Sequence, residues 1–233
     1  MAKVRIEISK GDEIRFLSHL DYARTIERAV RRSKLPVAYS EGFNPHMKVA
    51  YASALSVGVS SRVEYMDMEL SEALDMASIK TRLETQLPDG IVLQRLKYIG
   101  DRTPALMAVV NLSVYQLTVP ITEGAAAEAI NGSIAAFNSA EKIIYVKESP
   151  KGRREIDIKQ FMDCDVTAEL SGALLGVQLC IRMTQSGSVK PSEVLAVLVN
   201  EYGLPVKKES AFIDRQELLI ADGKQRLTPM EVV

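Results

Sequence analysis

The feature that most constrains the fold is an order of element types that occurs twice along the chain. Residues 3–9 alternate apolar and polar side chains, which is typical of a half-buried strand. The pattern then predicts a helix from about residue 18 to 33, extended segments, a second helix over about 75–86 and a strand over 91–99. Strand, helix, strands, helix, strand is the order of the split βαβ unit of ferredoxin-like folds.

The second half of the chain repeats this order with a different sequence. We therefore predict an α+β fold of two tandem ferredoxin-like (split βαβ) units, with mainly antiparallel sheets and helices packed on one face. A single continuous mixed sheet with helices on one face would give the same element order and stays open. The predicted boundaries are residues 1–100 for an N-terminal domain, 101–110 for a linker, 111–215 for a C-terminal domain and 216–233 for a loosely held tail.

The composition is typical of a globular protein. Because its net charge is close to zero, local patches of surface charge must determine which partners it binds. The 233 residues are 47% hydrophobic and 25% charged, and the formal net charge is −1. A nearly neutral chain has no global field that attracts nucleic acid, so any affinity for it must come from clustered cations.

Two cysteines and the hydrophobicity pattern exclude several classes of site. We expect Cys164 and Cys180 to be two small buried side chains in neighbouring strands. The chain has no CxxC motif or Cys/His cluster for zinc and no cysteine triplet for an iron–sulfur cluster, so we expect no metal and no cofactor. It has no apolar run that would span a bilayer and no signal-peptide pattern, so we expect a cytoplasmic protein without a membrane partner.

Both histidines lie in polar segments on either side of the first helix. In the segment Arg15–Asp21, Ser18 is a good N-cap and Asp21 follows three residues later, near the positive end of the helix. His19 then occupies the first turn, where a neutral imidazole could act as a general base. Local packing at the start of a helix is the simpler interpretation of the same position.

The segment Tyr39–His46 follows the first helix. It carries Tyr39, Glu41, Asn44 and His46, with proline and glycine as turn residues. This density of functional groups exceeds what a simple turn needs, and such a loop could hold an anion or an extended ligand.

Arginines form two clusters in this otherwise neutral chain. Arg24, Arg28 and either Arg31 or Arg32 recur at helical spacing, and a second cluster lies in a predicted basic turn that ends in Arg153 and Arg154. Such clusters could contact phosphates, although a solvated helix face is the more ordinary meaning. The predicted catalytic residues are His19 and His46. The predicted binding residues are Arg15, Ser18, His19, Asp21, Arg24, Arg28, Tyr39, Glu41, Asn44, His46, Arg153 and Arg154.

The segments Arg15–Asp21 and Tyr39–His46 resemble a bacterial radical-SAM-linked family with a domain of unknown function. Later segments fit the same family, namely residues 52–59 ahead of Glu64 and Tyr65, residues 104–107 and residues 152–158. Proteins of this family are found beside a radical SAM protein or fused to its C-terminus. The resemblance implies a radical SAM protein as partner and a companion role for this chain, which lacks the cysteines of a cluster.

A second resemblance is architectural. Tandem ferredoxin-like units with a histidine early in the first helix are similar to the endoribonucleases that process CRISPR repeat RNA, although the glycine-rich loop near the C-terminus of those enzymes is absent here. We predict an accessory protein, non-catalytic itself, that binds RNA or presents a substrate to a radical SAM enzyme. The alternatives are a metal-independent endoribonuclease that uses His19 and a module that only binds protein.

Overall fold

The structure is a computed structural model that describes residues 2–149, 152–223 and 225–232. The chain divides into two compact units. The first consists of Met1–Asn111 with Glu217–Val233, and the second of Leu112–Gln216. The predicted α+β chain of mainly antiparallel strands with helices is confirmed.

The first unit begins with the predicted series of elements. They are β1 (Ala2–Lys10), α1 (His19–Arg32), β2 (Val49–Tyr51), β3 (Val59–Leu70), α2 (Met76–Glu84), β4 (Leu93–Ile99) and the short helix α3 (Leu106–Val109). Strand β1 pairs antiparallel with both β3 and β4, and β2 pairs antiparallel with β3. The neighbours in this sheet are therefore β4, β1, β3 and β2.

The core of the first unit lies between this sheet and two helices. Val4, Ile6 and Ile8 on one face of β1 are fully buried in the same cluster as Ile26 of α1 and Ile79 of α2. The 3.6-residue period of α1 turns one stripe of the helix into this core and leaves the opposite stripe to solvent. The sheet thereby fixes α1 with its arginines outward.

The second face of β1 is also buried, which the alternating pattern did not predict. The guanidinium of Arg5 donates to both carboxylate oxygens of Asp67, at 2.8 and 2.9 Å, and both side chains are almost completely inaccessible. Arg5 also donates to the carbonyl oxygens of Pro229 (2.9 Å) and Val232 (3.3 Å). The C-terminal segment, expected to be loosely held, therefore packs as part of the first unit.

The second unit contains a set of neighbouring strands and a separate hairpin. Its elements are β5 (Leu112–Pro120), α4 (Ala127–Ser139), β6 (Ile144–Ser149), β7 (Gly152–Asp157), β8 (Thr167–Ser171), β9 (Leu174–Arg182), α5 (Pro191–Asn200) and the start of β10 (Phe212–Asp222). Strand β9 pairs with β5 and β8, and β6 pairs with β7. Strand β10 continues into the first unit, where it pairs with β11 (Gln225–Leu227).

Two sequence-based expectations for the second unit need correction. Cys164 and Cys180 form a disulfide, with 5.8 Å between their Cα atoms, so they are not separate buried thiols; Cys164 precedes β8 and is not in a strand. Arg153 and Arg154 belong to β7 and not to a turn, because the strand begins at Gly152. Lys151 of the predicted basic turn lies outside the described residues. Among the described residues, none of the helices has the length and apolar character needed to cross a membrane.

Candidate functional site

The backbone of the turn between β1 and α1 is fixed by hydrogen bonds from a buried lysine. Lys10 ends β1 and is only 1% exposed. Its ammonium group donates to the carbonyl oxygens of Arg15 (2.9 Å), Leu17 (3.0 Å) and Val59 (3.3 Å). These contacts fix the backbone on both sides of Phe16. Sequence reasoning missed Lys10, because a lysine at the end of a strand ordinarily reaches solvent.

The first turn of α1 forms as predicted from its cap. Ser18 is the N-cap, and its hydroxyl oxygen accepts from the backbone N–H of Asp21 (3.2 Å) and donates to the Asp21 carboxylate (2.7 Å). Asp21 also lies 3.7 Å from the guanidinium of Arg24. Ser18 and Asp21 are therefore explained by helix capping, a role that needs no ligand.

His19 is half-buried, and its ring packs edge-on against Tyr51. The two ring centroids are 5.6 Å apart and the planes are nearly perpendicular, at 85°. The hydroxyl of Tyr51 donates to the carbonyl oxygen of Ala23, one turn further along α1 (3.4 Å). Burial, reinforced by the nearby carboxylate of Glu27, raises the pKa of the Tyr51 hydroxyl well above its usual range. Tyr51 is thus a neutral donor, and sequence reasoning did not identify it.

The loop Tyr39–His46 is closed by backbone hydrogen bonds at its base. Tyr39 bridges to Met47, the N–H of Ser40 donates to the carbonyl oxygen of His46 (2.8 Å), and the N–H of His46 donates to the Ser40 hydroxyl (3.0 Å). The side chains of Glu41, Asn44 and His46 are exposed. The chain continues from this loop into β2, where the ring of Tyr51 packs against His19.

The outer face of α1 is a stripe of exposed arginines. Its members are Arg24, Arg28, Arg31 and Arg32, and we call this set the arginine stripe. At 1.5 Å of rise per residue it extends over about 12 Å of the helix axis. The arginines at the two ends have contacts of their own, since Arg24 lies near Asp21 and Arg32 donates to the carbonyl oxygen of Gln86 (2.7 Å).

Arg15 and Phe16 form a stacked pair directly before the stripe. The guanidinium of Arg15 lies over the ring of Phe16, 4.6 Å from its centroid, and pairs with the carboxylate of Asp12. Phe16 is nevertheless 67% exposed, and Leu20 in the first turn of α1 is similarly exposed. This exposed apolar surface at the start of α1 had no counterpart in the predicted site.

Arg153 and Arg154 belong to the second unit and are described separately from the first. Arg154 donates to the carbonyl oxygen of Ser186 (3.3 Å). It also lines an open cavity of about 360 Å³ together with Lys147 and the turn that contains Ser186 and Ser188. The ammonium group of Lys147 is paired with the carboxylate of Glu193 at 2.7 Å, which reduces the positive charge available there. Within the described parts of both units, no three His, Cys, Asp or Glu side chains are grouped closely enough to hold a metal ion.

Comparisons with known proteins give a family and a fold. The family model described as "Uncharacterized protein conserved in bacteria (DUF2344)" matches residues 3–191. No curated protein matches the chain. Among solved structures, a chain in a Cbf5-Nop10-Gar1 complex has 10% sequence identity and a TM-score of 0.50, over 93% of this chain and 48% of that one.

A chain of an archaeal box H/ACA sRNP Nop10-Cbf5 complex has 9% identity and a TM-score of 0.46, over 100% of this chain and 52% of that one. The protein therefore spans about half the length of these solved chains. At this level of identity, the similarity to the first of them concerns the fold alone.

Proposed function

The chain belongs to this bacterial family, DUF2344, and we propose that it is an RNA-binding protein, non-catalytic itself, that contacts RNA through the arginine stripe of α1. The observation that carries the proposal is the placement of four exposed guanidinium groups on the outer face of one helix. Guanidinium groups bind phosphate oxygens through two parallel hydrogen bonds. The opposite face of α1 is buried in the core, so the stripe is presented on a rigid element.

The local balance of charge along α1 supports this surface. The protein as a whole has a net charge of −1 and no overall attraction for a polyanion. Along the outer face of α1 the four arginines are opposed by Asp21, which caps the helix, and by Glu27, which is half-buried beside Tyr51. A net positive field therefore remains at this helix, and the binding it produces should weaken steeply with salt.

A salt titration with matched variants tests the proposal. Fluorescence anisotropy with a short unstructured RNA should give a log–log slope of about −0.7 per phosphate contacted. Arg28→Ala should weaken binding and reduce the slope by about 0.7. Arg102→Ala, which removes an exposed arginine outside the stripe, should leave both unchanged. Absence of salt-sensitive binding at micromolar protein, or equal effects of both variants, would refute the proposal.

The partner we propose is a radical SAM enzyme, to which this protein would present the bound RNA or another substrate. The support is the resemblance of the segments Arg15–Asp21 and Tyr39–His46 to the radical-SAM-linked family. Co-expression with the radical SAM protein of that family, followed by nuclease treatment and affinity capture, should recover both chains. Recovery of this chain alone would reject the partner and leave RNA binding intact. Capture together with no RNA affinity in the free chain would favour a module that only binds protein.

Cleavage of RNA with His19 as base is the alternative to non-catalytic binding. We favour binding, because the ring of His19 packs against Tyr51 while His46 lies in the exposed loop. Incubation of the wild type with RNA in the presence of a chelator shows whether the protein cleaves RNA without a metal or only binds it. Cleavage that His19→Ala abolishes would establish the enzyme and refute the non-catalytic role.

For the architecture, we propose that each unit is a ferredoxin-like split βαβ. The support is the order of neighbouring strands. It is β4, β1, β3 and β2 in the first unit and β10, β5, β9 and β8 in the second, where the hairpin of β6 and β7 is an insertion. Both orders have the first and third strands of the unit at the centre, as the split βαβ arrangement requires. We propose domain boundaries near residues 100, 111 and 215, with residues 216–233 completing the first domain.

A further inference from the structure

We propose that the RNA bound by α1 is single-stranded and that one of its unpaired bases stacks on the ring of Phe16. This inference rests on the proposed function and specifies its ligand. Single-stranded RNA is recognised by stacking of its bases on aromatic rings and guanidinium planes, combined with cations that follow the backbone. The start of α1 offers both kinds of group in sequence, first Arg15 and Phe16 and then the arginine stripe.

The ring of Phe16 is exposed but its backbone is fixed. The ammonium group of Lys10 binds the carbonyl oxygens of the residues on both sides of it, Arg15 and Leu17. The N–H of Gly58 donates to the same Arg15 carbonyl (2.9 Å). Gly58 has φ of +84°, and a Cβ at this position would be 4.0 Å from the ring of Phe16. The turn therefore places a large apolar ring in solvent at a constrained position, which lowers the entropic cost of binding a planar ligand.

Arg15 makes this ring a better platform for a base. Its guanidinium lies over the ring at 4.6 Å from the centroid and is held by the Asp12 carboxylate. Guanidinium and aromatic planes both stack with nucleobases. A base next to this pair would be stacked on a rigid surface, and Leu20 exposes further apolar surface one residue into the helix.

The arginine stripe would bind the same strand. Leu20, Arg24, Arg28 and Arg31 recur every three or four residues and share one face of α1. The apolar end of this face, Leu20, lies in the first turn of α1 and four residues after Phe16 in the chain, and the cationic remainder continues towards the C-terminal end of the helix. A strand with one base on Phe16 therefore has phosphates available to the guanidinium groups along the helix.

A duplex cannot use the ring in this way. Its bases are stacked on each other and paired, and the major groove of A-form RNA is too narrow for side chains to read. Duplex RNA would therefore bind through the arginine stripe alone. The inference thus predicts a preference for single strands that depends on Phe16.

Two substitutions at Phe16 separate stacking from simple apolar contact. Phe16→Tyr keeps the aromatic ring, and Phe16→Leu keeps apolar bulk without it. Phe16→Leu should weaken binding of a short unstructured RNA by roughly 5- to 150-fold. Phe16→Tyr should bind like the wild type. Both should keep the wild-type salt slope, because neither removes a cation, and a fluorescent base analogue in the RNA should lose its stacking signal only with Phe16→Leu.

The measurement is made with the full chain on the single strand and on its fully paired duplex. Met107→Ala is the control, since it removes an apolar side chain that is 77% exposed in α3 of the same unit. Weaker binding of the duplex, together with the loss in Phe16→Leu alone, would support the inference.

The outcomes that overturn the inference differ from those that overturn the proposed function. Absence of salt-sensitive RNA binding in the wild type would refute both the proposed function and the base-stacking inference. Salt-sensitive binding with equal affinity for the duplex, or with Phe16→Leu equal to wild type, would overturn base stacking and retain the role of the stripe. Loss of the radical SAM partner in Phe16→Leu without any change in RNA affinity would assign the ring to protein contact and also overturn the inference.

Discussion

Replacement of Lys10 by methionine should destabilise the first unit and loosen the turn that presents Phe16. The side chain is almost fully buried, and its ammonium group donates to three carbonyl oxygens at 2.9, 3.0 and 3.3 Å. Methionine has a similar length but no donor, so it can fill much of the space while leaving those carbonyls without this partner. The variant therefore tests the hydrogen bonds more than the packing.

The expected cost follows from these three acceptors. Each intramolecular hydrogen bond contributes a net of about 0.5–1.5 kcal/mol to stability. Release of the buried ammonium from its own desolvation penalty offsets part of that sum. Taking about 1 kcal/mol for each carbonyl gives about 3 kcal/mol, or roughly a hundredfold change in the unfolding equilibrium.

Urea unfolding followed by tyrosine fluorescence measures the change, since the chain contains eight tyrosines and no tryptophan. Hydrogen exchange adds a local reading at the N–H of Gly58, which donates to the Arg15 carbonyl. Lys80→Met is the matched control, because Lys80 in α2 of the same unit is exposed. It forms only a surface ion pair, with Glu84 at 3.7 Å. Its effect should be within about 0.5 kcal/mol. A Lys10→Met variant as stable as this control, with unchanged exchange at Gly58, would refute the reasoning.

Three further predictions concern other parts of the structure. Asp67→Ala should destabilise the first unit by about 3–5 kcal/mol in urea unfolding, because it leaves a buried guanidinium without its carboxylate. The backbone N–H and hydroxyl of Thr228 hold the pKa of the Glu231 carboxyl below its usual range. This stabilisation is complete above the unfolded pKa and is lost as the pH falls through the folded pKa. The protection factors of the C-terminal amides, corrected for the intrinsic pH dependence of hydrogen exchange, should therefore fall in acid, and Glu231→Gln should remove that part of the pH dependence. Cys180→Ser should lower the stability of the second unit by about 3 kcal/mol, as expected for a loop of this length, and mass spectrometry of the unreduced wild type should show the bond.

The elements that depend on local sequence could be predicted, and the contacts between distant segments could not. The Ser18 cap involves residues three apart, and the buried stripe of α1 follows from its period. Tyr51 reaches His19 only because β2 pairs with β3, which no local pattern around His19 specifies. In the same way, Arg5 alternates like a surface residue, but its acceptors lie 62 residues away at Asp67 and 224 residues away at Pro229.

The structure places the residues of the predicted site in different surroundings, while their role in binding stays a prediction. Ser18 and Asp21 satisfy each other at the cap, and Arg153 and Arg154 belong to a hairpin of the second unit. Phe16 was not among the predicted residues, and the backbone on both sides of it is fixed by the hydrogen bonds of Lys10 to the carbonyl oxygens of Arg15 and Leu17.

Substitutions in the exposed arginine stripe and at the buried Lys10 test different properties of the protein. The stripe is exposed, and α1 is held to the sheet by its opposite face, so Arg28→Ala should change RNA affinity without a large change in folding stability. Lys10 is buried beneath the turn, so its substitution should change both quantities together. If RNA binding uses this surface, the loss of affinity in Lys10→Met should follow the faster exchange at Gly58, whereas the loss in Arg28→Ala should occur with the exchange rate of the wild type. A loss of affinity in Arg28→Ala accompanied by faster exchange at Gly58 would mean that the stripe acts through folding and not through contact with phosphate.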